Sequence, residues 1–170
     1  SCPEGTSSLA GSAFQGDCLF DLYLDAYRRE QHGECAGACS CEMLSSSEGE
    51  FSDGSGDAVY ESRSKCWWLI APAGAAQVWL LFSEYALETG YDFVHVYECE
   101  SVHCEAPITI PILDPASRLV SNTGFMKVEF TSDSGMNKQG FTGSWNSSRT
   151  CRSGFWSANP GEPCQPCWHA

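Results

Sequence analysis

Basic residues are scarce in this chain. Lys and Arg total 9 against 22 Asp and Glu, for a formal net charge of -13. A surface of that sign repels phosphate backbones, which argues against nucleic-acid binding. It suits cations and basic partner groups instead. Long apolar runs are also lacking. The longest, Cys66 to Phe82, is broken by Pro72, Gly74 and Gln77, and a spanning helix needs about 20 apolar residues in a row. The chain starts at Ser1, with no initiator Met and no signal-peptide pattern. A mature product or a piece of a longer chain is therefore expected. Catalytic signatures are missing as well: there is no Gly-x-Ser-x-Gly, no His-Glu-x-x-His and no phosphate loop. Of the four histidines, His32, His95, His103 and His169, none sits in such a motif. No enzyme activity is expected.

Cysteine, in contrast, is abundant, with 11 in 170 residues. Reduced cytosolic chains rarely carry so many, so a secreted or cell-surface protein with disulfides is expected. Eleven is odd, so at least one cysteine lacks a partner within the chain. A hydrophobic fraction of 42% and an aromatic fraction of 12% are enough for a packed core. Cys2, Cys18, Cys35, Cys39 and Cys41 crowd the first quarter, and Cys151, Cys164 and Cys167 crowd the end. This spacing predicts a central domain, residues 41–147. Residues 1–40 and 148–170 would be small cysteine-rich segments that need covalent staples.

Within the first segment Phe20, Tyr23, Leu24 and Tyr27 fall at i, i+3, i+4, i+7. That spacing predicts one short helix near 18–30, with a strand over the same residues left open. The middle reads as strands separated by turns. Lys65–Ile70, Gln77–Phe82, Tyr91–Tyr97, Ile108–Leu113, Phe125–Phe130 and Phe141–Trp145 are rich in branched and aromatic residues. In the third of these, Phe93, His95 and Tyr97 share one face and Val94 and Val96 the other. Short strands at this spacing, with no long helical pattern between them, predict an all-β antiparallel sandwich. His95 is then a strand residue, packed or half-exposed.

An ordered set of pieces resembles the CUB domain, an extracellular jelly-roll β-sandwich module. Cys41 opens it. Gly49-Glu50-Phe51-Ser52-Asp53-Gly54 and Tyr60 precede Cys66-Trp67-Trp68-Leu69-Ile70. Leu81-Phe82, Tyr85, Leu87-Glu88 and the run Tyr91 to Tyr97 follow. Val128-Glu129-Phe130-Thr131-Ser132-Asp133, Gly140-Phe141 and Trp145 end it.

The resemblance implies a calcium site of Glu88, Asp92 and Asp133. Calcium wants roughly 6–8 oxygen ligands, and backbone carbonyls near Ser134 to Asn137 and waters would complete the set. The loop from Glu88 to Asp92 is short, and it lacks the cysteine that relatives with a longer loop carry before the Tyr-Asp pair. Glu84 is the nearby substitute for Glu88. The resemblance also implies a disulfide between Cys41 and Cys66. A second, Cys99–Cys104, would staple the turn after Tyr97, where the family usually has Asp-Gly. Seven cysteines then remain, and Cys167 is expected to be unpaired here, with its partner beyond Ala170. Cys164-Gln165-Pro166-Cys167 reads as structural rather than as a redox or zinc motif. The C-terminal cysteines resemble the start of an EGF-like or ephrin-receptor-like module.

Asn146-Ser147-Ser148 is an N-glycosylation sequon, expected in a surface linker just past the last strand. Asp53, Asp57 and Glu61 read as acids of a solvated turn. The expected function is non-catalytic binding of another extracellular protein. Ca²⁺ would shape acidic loops that take a partner's Lys side chain. A structural spacer or assembly unit joining neighbouring copies is the first alternative. A carbohydrate-binding or exosite module of a larger secreted protein is the next.

Overall fold

In the computed structural model the described residues are 32–150, 155–156, 158 and 165–167. The chain divides into two compact units, Ser1–Glu34 and Cys35–Ala170. The helix expected near 18–30 lies outside the described residues. Everything that follows concerns the second unit.

Two sheets form the sandwich. The five-stranded sheet runs in the order β1 (Glu42–Leu44), β3 (Lys65–Ile70), β8 (Phe125–Thr131), β5 (Phe93–Cys99), β6 (Ile108–Ile110). The four-stranded sheet runs β2 (Glu48–Ser52), β9 (Gly140–Ser148), β4 (Gln77–Ala86), β7 (Leu119–Ser121). A short antiparallel ladder, β10 (Phe155–Trp156) with β11 (Gln165–Pro166), lies near the C-terminus. All pairings in both sheets are antiparallel except β1 with β3, which is parallel. The all-β sandwich is thus present, with one departure from the expected antiparallel order.

Period-2 alternation builds the core. Cys66, Trp68 and Ile70 of β3 meet Val94 and Val96 of β5, Met126, Val128 and Phe130 of β8, and Val78, Leu80 and Phe82 of β4. Phe141 is the hub: its ring lies 5.3 Å from Phe130, 5.7 Å from Trp68 and from Phe82, and 6.2 Å from Phe51. Tilted and edge-on ring pairs at these separations add to the burial itself. On the opposite face of β3, Trp67 and Leu69 pack with Cys99, Cys104 and Val102 in a second cluster.

The disulfides differ from expectation at one point. Cys66 pairs with Cys39, not with Cys41, and Cys41 pairs with Cys35. The register explains this. Glu42 stands opposite Trp68, so continuing the ladder sets Cys41 beside Trp67, one residue out of step with Cys66. Adjacent strand residues face opposite ways. Cys66 joins the inner core, where Cys39 is also buried. Cys99 and Cys104 are joined, and Cys167 is unpaired and exposed.

The sequon also lies elsewhere than expected. Strand β9 continues to Ser148, paired with Gln77 of β4, and Asn146 faces Glu48 of β2 and Trp79 of β4. Asn146 is therefore a strand residue and not part of a linker beyond the sheet.

Candidate metal centre

One end of the sandwich gathers the acids. Strand β4 carries a register shift between Phe82 and Glu84 and runs on to Ala86, which delivers Glu88 just beyond it. Asp92 immediately precedes β5, and Asp133 follows β8 by two residues. An oxygen from each of the three lies within 4.8 Å of the others. The short loop is no obstacle: the N–H groups of Tyr91 and Asp92 both donate to the Glu88 carbonyl, at 3.3 and 3.1 Å, closing a tight turn. Glu84 is exposed on β4 opposite Thr142 and is not one of the cluster.

Asp92 is the anchor, only 5% exposed. Its Oδ1 accepts the Asp133 N–H at 2.9 Å, and its Oδ2 accepts the Tyr60 hydroxyl. The same hydroxyl accepts the Glu88 N–H at 3.0 Å. Tyr60, in the loop before β3, thus ties two of the acids together. Burial pushes its phenol up to about 12, and the bond to Asp92 pushes the same way. It therefore stays a donor at neutral pH. Glu88 Oε2 accepts the Met136 N–H at 3.0 Å, and Asp133 Oδ1 accepts the Gly135 N–H.

This donor set suits a hard cation. All its ligands are carboxylate oxygens. Glu88 Oε1 and Asp133 Oδ2 accept no hydrogen bond from the described residues, and no ion pair among those residues reaches any of the three. The space is kept open by Gly135. A Cβ there would fall 2.8 Å from Asp133 Oδ1 and 3.0 Å from Glu88 Oε2. Tyr91, Phe93 and Met136, close in sequence to the acids, are exposed. A cleft of about 340 Å³ opens beside Glu88 and Asp92.

Asp53 is a separate case. It is buried, not solvated as expected, and its carboxylate accepts the N–H groups of Ser55 at 3.0 Å and Phe141 at 2.7 Å. It belongs to the packing of the loop after β2.

Residues 39–145 match the CUB domain family model. The chain belongs to the CUB domain family. Among its relatives, cubilin of Sus scrofa is 26% identical over 132 residues, covering 67% of this chain and 4% of cubilin. The chain spans 8% or less of the length of the curated relatives it matches. The full extracellular region of zebrafish Gpr126/Adgrg6 is 27% identical with a TM-score of 0.53, covering 63% of this chain and 14% of that one. The CUB2 domain of MASP-1 bound to Ca²⁺ is 17% identical with a TM-score of 0.51, covering 64% of this chain and 99% of that one. At that identity the likeness is one of fold.

The sequence pattern named Glu88, Asp92 and Asp133, and the CUB fold brings these three together. It named Tyr60 only as part of the family pattern and did not give it a role. A buried tyrosine hydroxyl needs a polar partner, but no spacing in the sequence pairs Tyr60 with Asp92.

Proposed function

We propose that this CUB domain is a non-catalytic extracellular binding module. Glu88, Asp92 and Asp133 hold Ca²⁺, and the calcium-shaped acidic end takes a Lys side chain of a partner protein. The observation that carries this reading is the meeting of the three carboxylates around a space that Gly135 leaves open. Charges of one sign so close repel unless a cation joins them. Spare oxygens on Glu88 and Asp133 would give the ammonium charge-assisted hydrogen bonds. Tyr91, Phe93 and Met136 would cover its methylene stem. The Ca²⁺ bound to the MASP-1 CUB2 domain and the extracellular setting of Gpr126 support the same reading.

Calorimetric titration with Ca²⁺ alone tests the site. Saturable binding that Asp133→Ala abolishes is expected, and no heat at millimolar calcium would remove the assignment. Retention on a lysine-bearing matrix, with and without chelator, tests the partner chemistry. Equal retention in both would overturn it.

The cysteine-rich segment 1–40, whose last residues from Cys35 onward join the sandwich, and segment 148–170 fit neighbouring modules of a longer extracellular chain, the second EGF-like or ephrin-receptor-like. The exposed, unpaired Cys167 favours a second role as an assembly unit joined to another chain through that thiol. Non-reducing electrophoresis of the wild type and Cys167→Ser separates the two. A covalent oligomer lost in the variant is the outcome that role requires.

A further inference from the structure

The outer face of the four-stranded sheet carries a shallow groove of about 490 Å³, and none of the three acids lines it. Its floor is apolar: Trp79 and Leu81 of β4, with Leu81 40% exposed. Glu48 and Glu50 of β2 and Ser144 and Asn146 of β9 flank that floor. Arg118 places its guanidinium 5.1 Å from the Trp79 ring centre, a cation–π contact. Arg118 adjoins β7, on one side of β4, and Asn146 lies in β9, on the other.

Asn146 is the acceptor of the Asn146-Ser147-Ser148 sequon. It stands directly opposite Trp79 in the β4–β9 ladder. Such cross-strand partners have Cβ atoms roughly 4.5–5.5 Å apart on one face. We infer that Asn146 carries an N-linked glycan whose first N-acetylglucosamine lies back across the groove, covering Leu81 and the part of Trp79 that the Arg118 guanidinium leaves open. The occupant is thus tethered at the edge of the surface it covers. A pyranose ring has an apolar C–H face that matches an indole and polar edges that match Glu48, Glu50 and Ser144.

The transfer forms a bond from Asn146 Nδ2 to the anomeric carbon of N-acetylglucosamine. It breaks that carbon's bond to the diphosphate of a polyprenyl-diphosphate oligosaccharide donor. The diphosphate leaves with the electron pair, and the amide gives up one proton. The amide keeps one N–H, so the hydrogen bond that Asn146 Nδ2 donates to Glu48 Oε2 at 3.2 Å has a donor after the reaction.

The test uses the 170-residue chain secreted from mammalian cells. Peptide mapping should find hexosamine on Asn146, and Ser148→Ala should remove it while leaving Asn146 and Glu48 in place. A bare Asn146 in the wild type would overturn the proposal. The glycan is then trimmed to its first sugar. Its ring and acetyl protons should shift upfield and show proton–proton contacts to the Trp79 indole, with both signals lost in Trp79→Ala. A glycan whose protons keep free-sugar shifts and contact no indole would also overturn it. The wild-type spectrum decides this alone if the Trp79 variant fails to fold.

Discussion

The Tyr60 hydroxyl donates to Oδ2 of Asp92 and at the same time accepts the backbone N–H of Glu88 at 3.0 Å. One buried phenol therefore fixes two of the three acids in the candidate metal centre. Tyr60→Phe keeps the ring, which packs edge-on against Phe130 at 5.3 Å, and removes only the hydroxyl. A carboxylate oxygen and an N–H then lose their partner in a buried place, at a cost of about 1–3 kcal/mol. Urea unfolding should show a lower midpoint with an unchanged slope, and calcium affinity should fall in parallel. An unchanged midpoint would mean that the hydroxyl does not hold the site together.

Calcium should stabilise the fold by mass action, since only the folded chain assembles the three carboxylates. At a hundred times the dissociation constant the gain is about 2.7 kcal/mol. Thermal unfolding should therefore shift upward with calcium and return on chelation. Asp133→Ala should abolish that shift with little loss in calcium-free buffer, because Asp133 is exposed and its removal relieves repulsion. Asp92→Ala should be costly even without calcium, because Asp92 accepts from Tyr60 and from the Asp133 N–H. Equal behaviour of the two variants would contradict this division of roles.

The disulfide map makes a separate prediction. The Cys39–Cys66 bridge spans 27 residues and Cys99–Cys104 only 5. Loop-closure entropy then assigns about 3.5 kcal/mol to the first and about 2 kcal/mol to the second. Replacing Cys39 and Cys66 by Ala should lower stability more than replacing Cys99 and Cys104. Non-reducing peptide mapping should recover Cys35–Cys41 and Cys39–Cys66. A Cys41–Cys66 peptide would refute the register given for β1 and β3.

Alkaline pH probes the outer face of the five-stranded sheet. Burial holds the Tyr97 phenol above its usual 10.0, and the neighbouring Glu129 carboxylate adds to the rise. The unfolded chain loses that proton first. Stability from Tyr97 is therefore complete below pH 10 and declines as pH rises through its folded value. Tyr97→Phe should flatten the decline seen by urea unfolding at successive pH values. An unaltered slope would assign the decline to other tyrosines.

The strands of the core were legible because their alternation survives in the sequence. Val94 and Val96 face inward and His95 stays exposed, as the period of two requires. Strands β1 and β7 are 3 residues each, too short for any period to show, and they are set by their neighbours' ladders. The partner of Cys66 was hidden for a related reason. Cys39-Ser40-Cys41 offers two candidates, and only the parallel register of β1 on β3 separates them. Asp53 resembled any acid in a Gly-Ser turn. Its burial depends on Phe141, 88 residues away, a distance no local pattern carries.

Gly135 offers the cleanest test of whether the acidic end is a cation site. A methyl group at this position would crowd Asp133 Oδ1 at 2.8 Å and Glu88 Oε2 at 3.0 Å. Both contacts are with side-chain ends at an exposed loop, so the carboxylates can turn aside without disturbing the core. Gly135→Ala should therefore unfold within about 0.5 kcal/mol of the wild type in calcium-free buffer, as surface substitutions usually do. Turning aside moves two of the three carboxylates out of the place where they converge on Asp92. Calcium titration should then show affinity reduced at least tenfold, which corresponds to about 1.4 kcal/mol. Wild-type affinity in this variant would show that the space under Gly135 is not where the ion sits. Loss of affinity together with a large loss of calcium-free stability would instead mean that the loop, not the ligand geometry, had been disturbed.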